Sequence, residues 1–115
     1  GAMLAAVVSA RGLVGQGVVL PRCIVLLGSA LPKPYEQLLK EASLVGAQSI
    51  ASLHCLSKSD TINPPELGEW VADCFAPGAN TLWHEGGHII PGDGGERDKE
   101  TVAAIATFLE GSVSY

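Results

Sequence analysis

The sequence predicts an α/β fold with a parallel sheet and crossover helices. Two observations carry that prediction. Short apolar runs recur along the chain, and each is followed by a segment whose apolar residues fall at helical spacing. The clearest of them, Cys23 to Leu27, is continuous and β-branched, as expected for a strand covered on both faces. Strands alternating with helices in this way build a parallel sheet.

From Ala2 to Arg11, small and aliphatic residues run without a breaker, which fits a helix buried on most sides that stops at Gly12. A glycine-rich turn, Gly12 to Gly17, leads to the first strand, which ends at Gly28-Ser29. Two prolines keep Leu31 to Pro34 out of regular structure, whereas Tyr35 to Leu44 has the composition of a short excursion helix. Ile50 to Leu56 reads as the second strand, with Ser57 to Asp60 as the loop leaving its carboxyl end. Asn63, Pro64, Pro65 and Glu66 spell a helix start: a capping side chain, prolines in the first turn and an acid at the positive dipole end. That helix should reach about Phe75. Asn80 to Trp83 is the third strand candidate, and Glu85 to Arg97 is too rich in glycine to be helix. Asp98 is placed to cap a last helix, Lys99 to Leu109, with Val102, Ile105, Ala106 and Leu109 on one face and Gly111 closing it. No internal repeat or low-complexity segment interrupts this order.

Composition narrows the function classes. A chain of 115 residues, 47% hydrophobic and 17% charged, with a mean hydropathy of +0.29, can bury one core and is too apolar to be disordered. The 7 basic and 12 acidic residues leave a net charge of −5. The cations are scattered, so nucleic acid is not an expected partner. Cys23, Cys55 and Cys74 are odd in number, widely spaced and set in apolar runs, which reads as buried thiols in a reducing compartment, the cytoplasm or the nucleus. Ala2 to Val8 imitates the apolar part of a signal peptide, but no basic segment precedes it. Arg11 and Gln16 interrupt the most hydrophobic stretch, so no membrane span is expected. Gly1-Ala2-Met3 also has the look of a protease scar, which would place the natural start at Met3.

Ligands of an open parallel sheet bind beyond the carboxyl ends of its strands. Two loops there carry ionisable groups: Asp60 follows the second strand and His88 the third, an acid-then-histidine order seen in α/β-hydrolases. Taken alone, an Asp before Thr61-Ile62-Asn63-Pro64 often serves only its own turn, and a loop histidine is usually just solvated. His84-Glu85-Gly86-Gly87-His88 also spells H-E-x-x-H, the pattern of zinc hydrolases. That pattern works on a helix, where both imidazoles share a face. Two glycines costing about 1 kcal/mol each, with Ile89-Ile90-Pro91 directly after the string, argue for a strand and loop instead, so no metal is expected. Ser29 follows a strand but lacks the strained elbow of a nucleophile, and reads as a strand end or pocket wall. His54 reads as a packed histidine, and Trp70 and Trp83 as core or pocket wall.

Two segments carry a specific resemblance. Leu53-His54-Cys55-Leu56-Ser57-Lys58-Ser59-Asp60 and His84-Glu85-Gly86-Gly87-His88-Ile89-Ile90-Pro91 resemble the triad-acid and triad-histidine motifs of the fungal and animal serine hydrolase family related to the ovarian-cancer-associated hydrolase. The resemblance implies an α/β-hydrolase fold, esterase-type or thioesterase-type activity on a small substrate, no cofactor, and catalytic roles for Asp60 and His88. It covers nearly the whole chain but only the family's carboxyl-terminal half. Residues 1–115 are accordingly expected to be a single partial hydrolase domain, a fragment. Gly1 to Ala6 resembles the last glycine of the family's G-x-S-x-G elbow and the helix of small residues after it, with the serine two positions before Gly1. On this reading the chain alone is inactive. The competing expectation is a truncated hydrolase that only binds a partner or small molecule, with self-association through an exposed sheet edge. Gly86 and Gly87 fit beside the histidine because small residues let the loop bend so that His88 points into the site.

Overall fold

The computed structural model describes residues 1–16, 20–46, 50–92 and 95–113. Helix α1 spans Ala2–Leu13, strand β1 Cys23–Leu27, helix α2 Glu36–Val45, strand β2 Ala51–Ser57, helix α3 Pro65–Cys74, strand β3 Ala79–His84 and helix α4 Lys99–Val113. Short 3-10 turns, Lys33–Tyr35 and Gly95–Asp98, lead into α2 and α4. The strands form one three-stranded parallel sheet in the order β1-β2-β3. The α/β architecture is therefore the one the sequence predicts.

Ile24 lies beside Ser52, and Leu26 beside His54; Leu56 lies beside Trp83, and Ser57 beside His84. On one face, Ile24 and Leu26 pack with Ala6 and Ala10 of α1, Leu39 and Ala42 of α2, and Val71, Cys74 and Phe75 at the α3 end. Helix α4 touches β1 and β2 and covers the other face, where Leu53 and Cys55 are buried. β2 is the central strand, buried from Ser52 to Ser57. At the edge strand β3, Trp83 remains 40% exposed.

Several expected boundaries shift for identifiable reasons. Helix α1 passes through Gly12 and ends at Leu13 with Val14 as its cap, because the left-handed glycine that terminates it is Gly15, with φ at 78°. It is also buried on one side rather than most, since Met3, Leu4 and Val8 are exposed. The Leu31-to-Pro34 stretch is not irregular throughout: Lys33 and Pro34 join Tyr35 in a 3-10 turn that uses Pro34 where no N–H is needed. Helix α3 begins one residue later than its sequence suggests, with Pro64 at the cap position and no side-chain cap. Helix α4 continues through Gly111, and its inward face carries Thr101, Ala104, Ile105 and Phe108, while Val102, Ala106 and Leu109 are exposed. Cys55 and Cys74 are buried as expected, but Cys23 is only half-buried, and all three are free thiols. The glycine-rich stretches Gly12 to Gly17 and Glu85 to Arg97 lie partly outside the described residues.

Candidate active site

Parallel strands place all three carboxyl ends on one edge of the sheet, and the site is assembled there. Just past β1, Gly28 donates its N–H to the Cys55 carbonyl at 3.0 Å, which keeps the chain beside β2 for one more residue. Asp60 stands three residues beyond β2 and His88 four beyond β3. The structure brings these two together: His88 Nδ1 lies 2.9 Å from Asp60 Oδ2.

Asp60 is held by its own turn. Its Oδ1 accepts the N–H groups of Ile62 at 2.9 Å and Asn63 at 2.8 Å. This leaves Oδ2 for the imidazole. Burial pushes the carboxyl upward, but the His88 hydrogen bond and the amides of Asn63 and Ile62 outweigh it and hold Asp60 below the usual carboxylate range. An ionised Asp60 accepts at Oδ2, so the proton on His88 belongs on Nδ1 and the Nε2 lone pair is left to act as a base. The Asp60 side chain is 3% exposed and the His88 side chain 37%, so the acid is sequestered while the ring reaches the surface.

Three further residues set this geometry, and none is a site candidate in the sequence. The side-chain amide of Asn63 donates to the Gly28 carbonyl at 2.7 Å, pinning the end of β1 against the Asp60 turn. Gly28 has φ at 61°, and a Cβ there would meet His88 Nδ1 at 3.4 Å and Asp60 Oδ2 at 3.5 Å. Its bare backbone therefore forms the floor under the pair. Ser57, 2% exposed, accepts the N–H of Gly87 on its Oγ at 3.0 Å. Asn63 was expected as a helix cap, and its pattern hid the role it has here. The other two contacts join loops far apart in sequence, which no local signal announces.

The remaining candidates fall elsewhere. Ser29 is buried, and its hydroxyl donates to the Ala30 carbonyl at 3.2 Å, as a strand-end residue would. His84 and His88 do not share a helix face: His84 ends β3 and accepts the Gly86 N–H on Nδ1 at 3.1 Å, while Gly87 turns with φ at 64°. The H-E-x-x-H string thus lacks the helical support that zinc chemistry needs. Among the described residues no group of three or more His, Cys, Asp or Glu is placed to hold a metal ion. His54 is fully buried, pairs through Nε2 with Ser52 Oγ at 2.9 Å and lies 6.0 Å from the Phe75 ring. Burial lowers its pKa to about 4, so it is a neutral core residue.

Two hollows lie on this side of the sheet, and only the smaller is lined by His88. A small cavity of about 50 Å³ lies between Gly28, His84 and the turn from Gly87 to Pro91. A wider hollow of about 630 Å³ is walled by Lys58, Ser59, Trp83, His84 and Glu85, with Lys58 Nζ 5.5 Å from the centre of the Trp83 ring. Trp83 is thus a pocket wall. No helix among the described residues is long and apolar enough to cross a membrane.

Fold and site together describe an α/β protein with an Asp–His pair at the carboxyl edge of a parallel sheet. Comparison with known proteins gives that class a family. The profile described as "Serine hydrolase (FSH1)" matches residues 1–99. "Esterase OVCA2" of Mus musculus is 39% identical over 98 residues, 84% of this chain and 41% of the mouse protein. The Homo sapiens protein of the same name is 40% identical over 92 residues, 79% of this chain and 39% of its own length. The chain belongs to the FSH1 serine hydrolase family. It spans about two-fifths of the length of the curated relatives it matches. No solved structure matches.

Proposed function

We propose that this chain supplies the acid and the histidine of a Ser-His-Asp triad in a serine hydrolase acting on small esters or thioesters. The observation that carries the reading is the 2.9 Å contact between His88 Nδ1 and an Asp60 carboxylate whose other oxygen is held by two amides. In the reaction, a serine hydroxyl attacks the substrate carbonyl while His88 Nε2 takes its proton. His88 then returns that proton to the departing alcohol or thiol, leaving an acyl-serine. Water, deprotonated by the same nitrogen, attacks the acyl carbon, and His88 gives that proton to the serine oxygen as the acid is released. Asp60 stays ionised throughout, orienting the ring and stabilising the imidazolium. The nucleophile and the oxyanion donors are assigned to the portion of such a hydrolase that these 115 residues do not cover. Residues 1–115 are accordingly read as a partial hydrolase domain that is inactive alone. Loss of the nucleophile costs on the order of 10⁶-fold in turnover in a worked triad. No cofactor enters the scheme, and the free thiols suit a reducing compartment such as the cytoplasm.

The test is p-nitrophenyl acetate hydrolysis with fluorophosphonate labelling, on this chain alone and on the chain joined to an upstream segment bearing a G-x-S-x-G turn. The reading expects activity and labelling only in the joined form, and their loss on His88→Ala. Labelling of this chain at Ser29, or silence in both forms, would overturn it.

One observation favours a second reading, in which the chain by itself binds a partner or another copy. Met3 and Leu4 on α1 are 44% and 68% exposed, and β1 pairs on one side only among the described residues. An open strand edge beside apolar surface invites association. A monomer by light scattering with a cooperative melt would exclude that dependence.

A further inference from the structure

Ser57 does more than end a strand. Its hydroxyl has two lone pairs and one proton, and all three have partners. The N–H of Gly87 donates to Oγ at 3.0 Å and the N–H of Ser59 at 3.3 Å, while Ser59 Oγ lies at 2.9 Å. With two amides filling its acceptor positions, the Ser57 proton is directed at Ser59 Oγ. The same residue's carbonyl accepts the N–H of Asp60 at 3.1 Å. Ser57 is 2% exposed, so these bonds face little competition from water. One residue therefore grips the loop carrying Asp60 through its backbone and the loop carrying His88 through its side chain, independently of the Asp60–His88 bond.

We infer that Ser57 is a positioning residue, whose hydroxyl ties the Gly87 turn to the end of β2 and thereby fixes the His88 ring against Asp60. Gly87 immediately precedes His88 and turns through φ 64°, a conformation with little intrinsic preference for one ring position over another. The tether supplies that preference. Losing Oγ leaves the Gly87 and Ser59 amides without that acceptor, and the turn is free to relax outward, since Ile89 and Ile90 beyond it are exposed. The kinetic consequence rests on the hydrolase reading, whereas the geometric one does not.

The discriminating pair is Ser57→Thr and Ser57→Val, near-isosteric side chains with and without the hydroxyl, with Ser57→Ala as a smaller alternative if valine prevents folding. In ¹⁵N-labelled chain, the exchange of the His88 Nδ1 proton with water is measured by NMR. A net hydrogen bond of about 1 to 1.5 kcal/mol corresponds to about tenfold. The expected result is exchange about tenfold faster in the valine and alanine variants, with threonine close to the unaltered chain. Ser52→Ala, which strips the partner from His54 on the opposite face, controls for general loosening. The inference is overturned if valine and alanine leave the exchange unchanged, or if Ser52→Ala speeds it equally. In a joined, active form, valine should lower kcat about tenfold at constant KM, with threonine restoring it. Absence of turnover in every form would remove the hydrolase reading, while proton exchange would still decide the tether.

Discussion

Acidification should destabilise this chain before any carboxylate titrates, and His54 is the cause. The ring is fully buried, its Nδ1 has no hydrogen-bond partner, and its pKa falls from 6.5 to about 4. Below 6.5 the unfolded chain takes up a proton that the folded chain refuses, so stability declines with falling pH across this window and levels off near 4. At about 1.4 kcal/mol per pH unit, the full interval is worth about 3 kcal/mol, a large share of the stability of a small domain. Asp60 acts in a separate window. Its folded pKa lies below the ordinary 3.8, so its contribution is complete above that value and is lost only as pH drops through the folded pKa. Urea unfolding followed by tryptophan fluorescence, from about pH 7 down to about pH 4, measures the slope. His54→Gln removes the titration and should flatten the profile in that range. Parallel profiles for the two proteins would refute the reasoning.

Other expectations are as direct. Gly28→Ala forces a left-handed alanine and sets a methyl against the His88–Asp60 contact; a loss of about 1–2 kcal/mol in thermal unfolding should accompany a shifted His88 ring resonance. An unperturbed resonance would mean that Gly28 does not floor the pair. At Gly68 an added Cβ collides with Leu56 Cδ2, so Gly68→Ala should cost about 1–3 kcal/mol in urea unfolding; a neutral result would contradict the α3–β2 packing. Burial pushes the Cys55 thiol up to about 11 and raises that of Cys74, the latter with help from Asp73. A disulfide reagent at about pH 8 should therefore modify half-buried Cys23 first, reaching the other two only on unfolding.

The elements whose burial is decided locally were legible in the sequence. Cys23 to Leu27 is a strand at the residues read, because a five-residue β-branched run between a proline and a glycine admits little else. Helix ends were less so. Gly12 and Gly111 carry the residue type of a stop but sit in helical turns, and the stop at α1 falls to Gly15 instead. The face of α4 was misassigned because Thr101, polar by type, is buried, while Val102 and Leu109 remain exposed. At the candidate site, chain order and family likeness pointed to Asp60 and His88, and the two side chains do meet. Gly28, Ser57 and Asn63 were not legible, since their contributions exist only once β1, β2 and β3 lie side by side.

That adjacency has a consequence for how the site comes into being. The contacts that build it join residues 28, 30 and 35 positions apart, each about the span of one strand–helix–strand repeat between neighbours in the sheet. Closing loops of such similar, moderate length costs nearly the same entropy each time, because that cost grows only logarithmically with length. Among the described residues, the hydrogen bonds that join these loops span no more than 35 positions. The Asp60–His88 geometry is thus a product of local topology, set once two successive crossovers have docked.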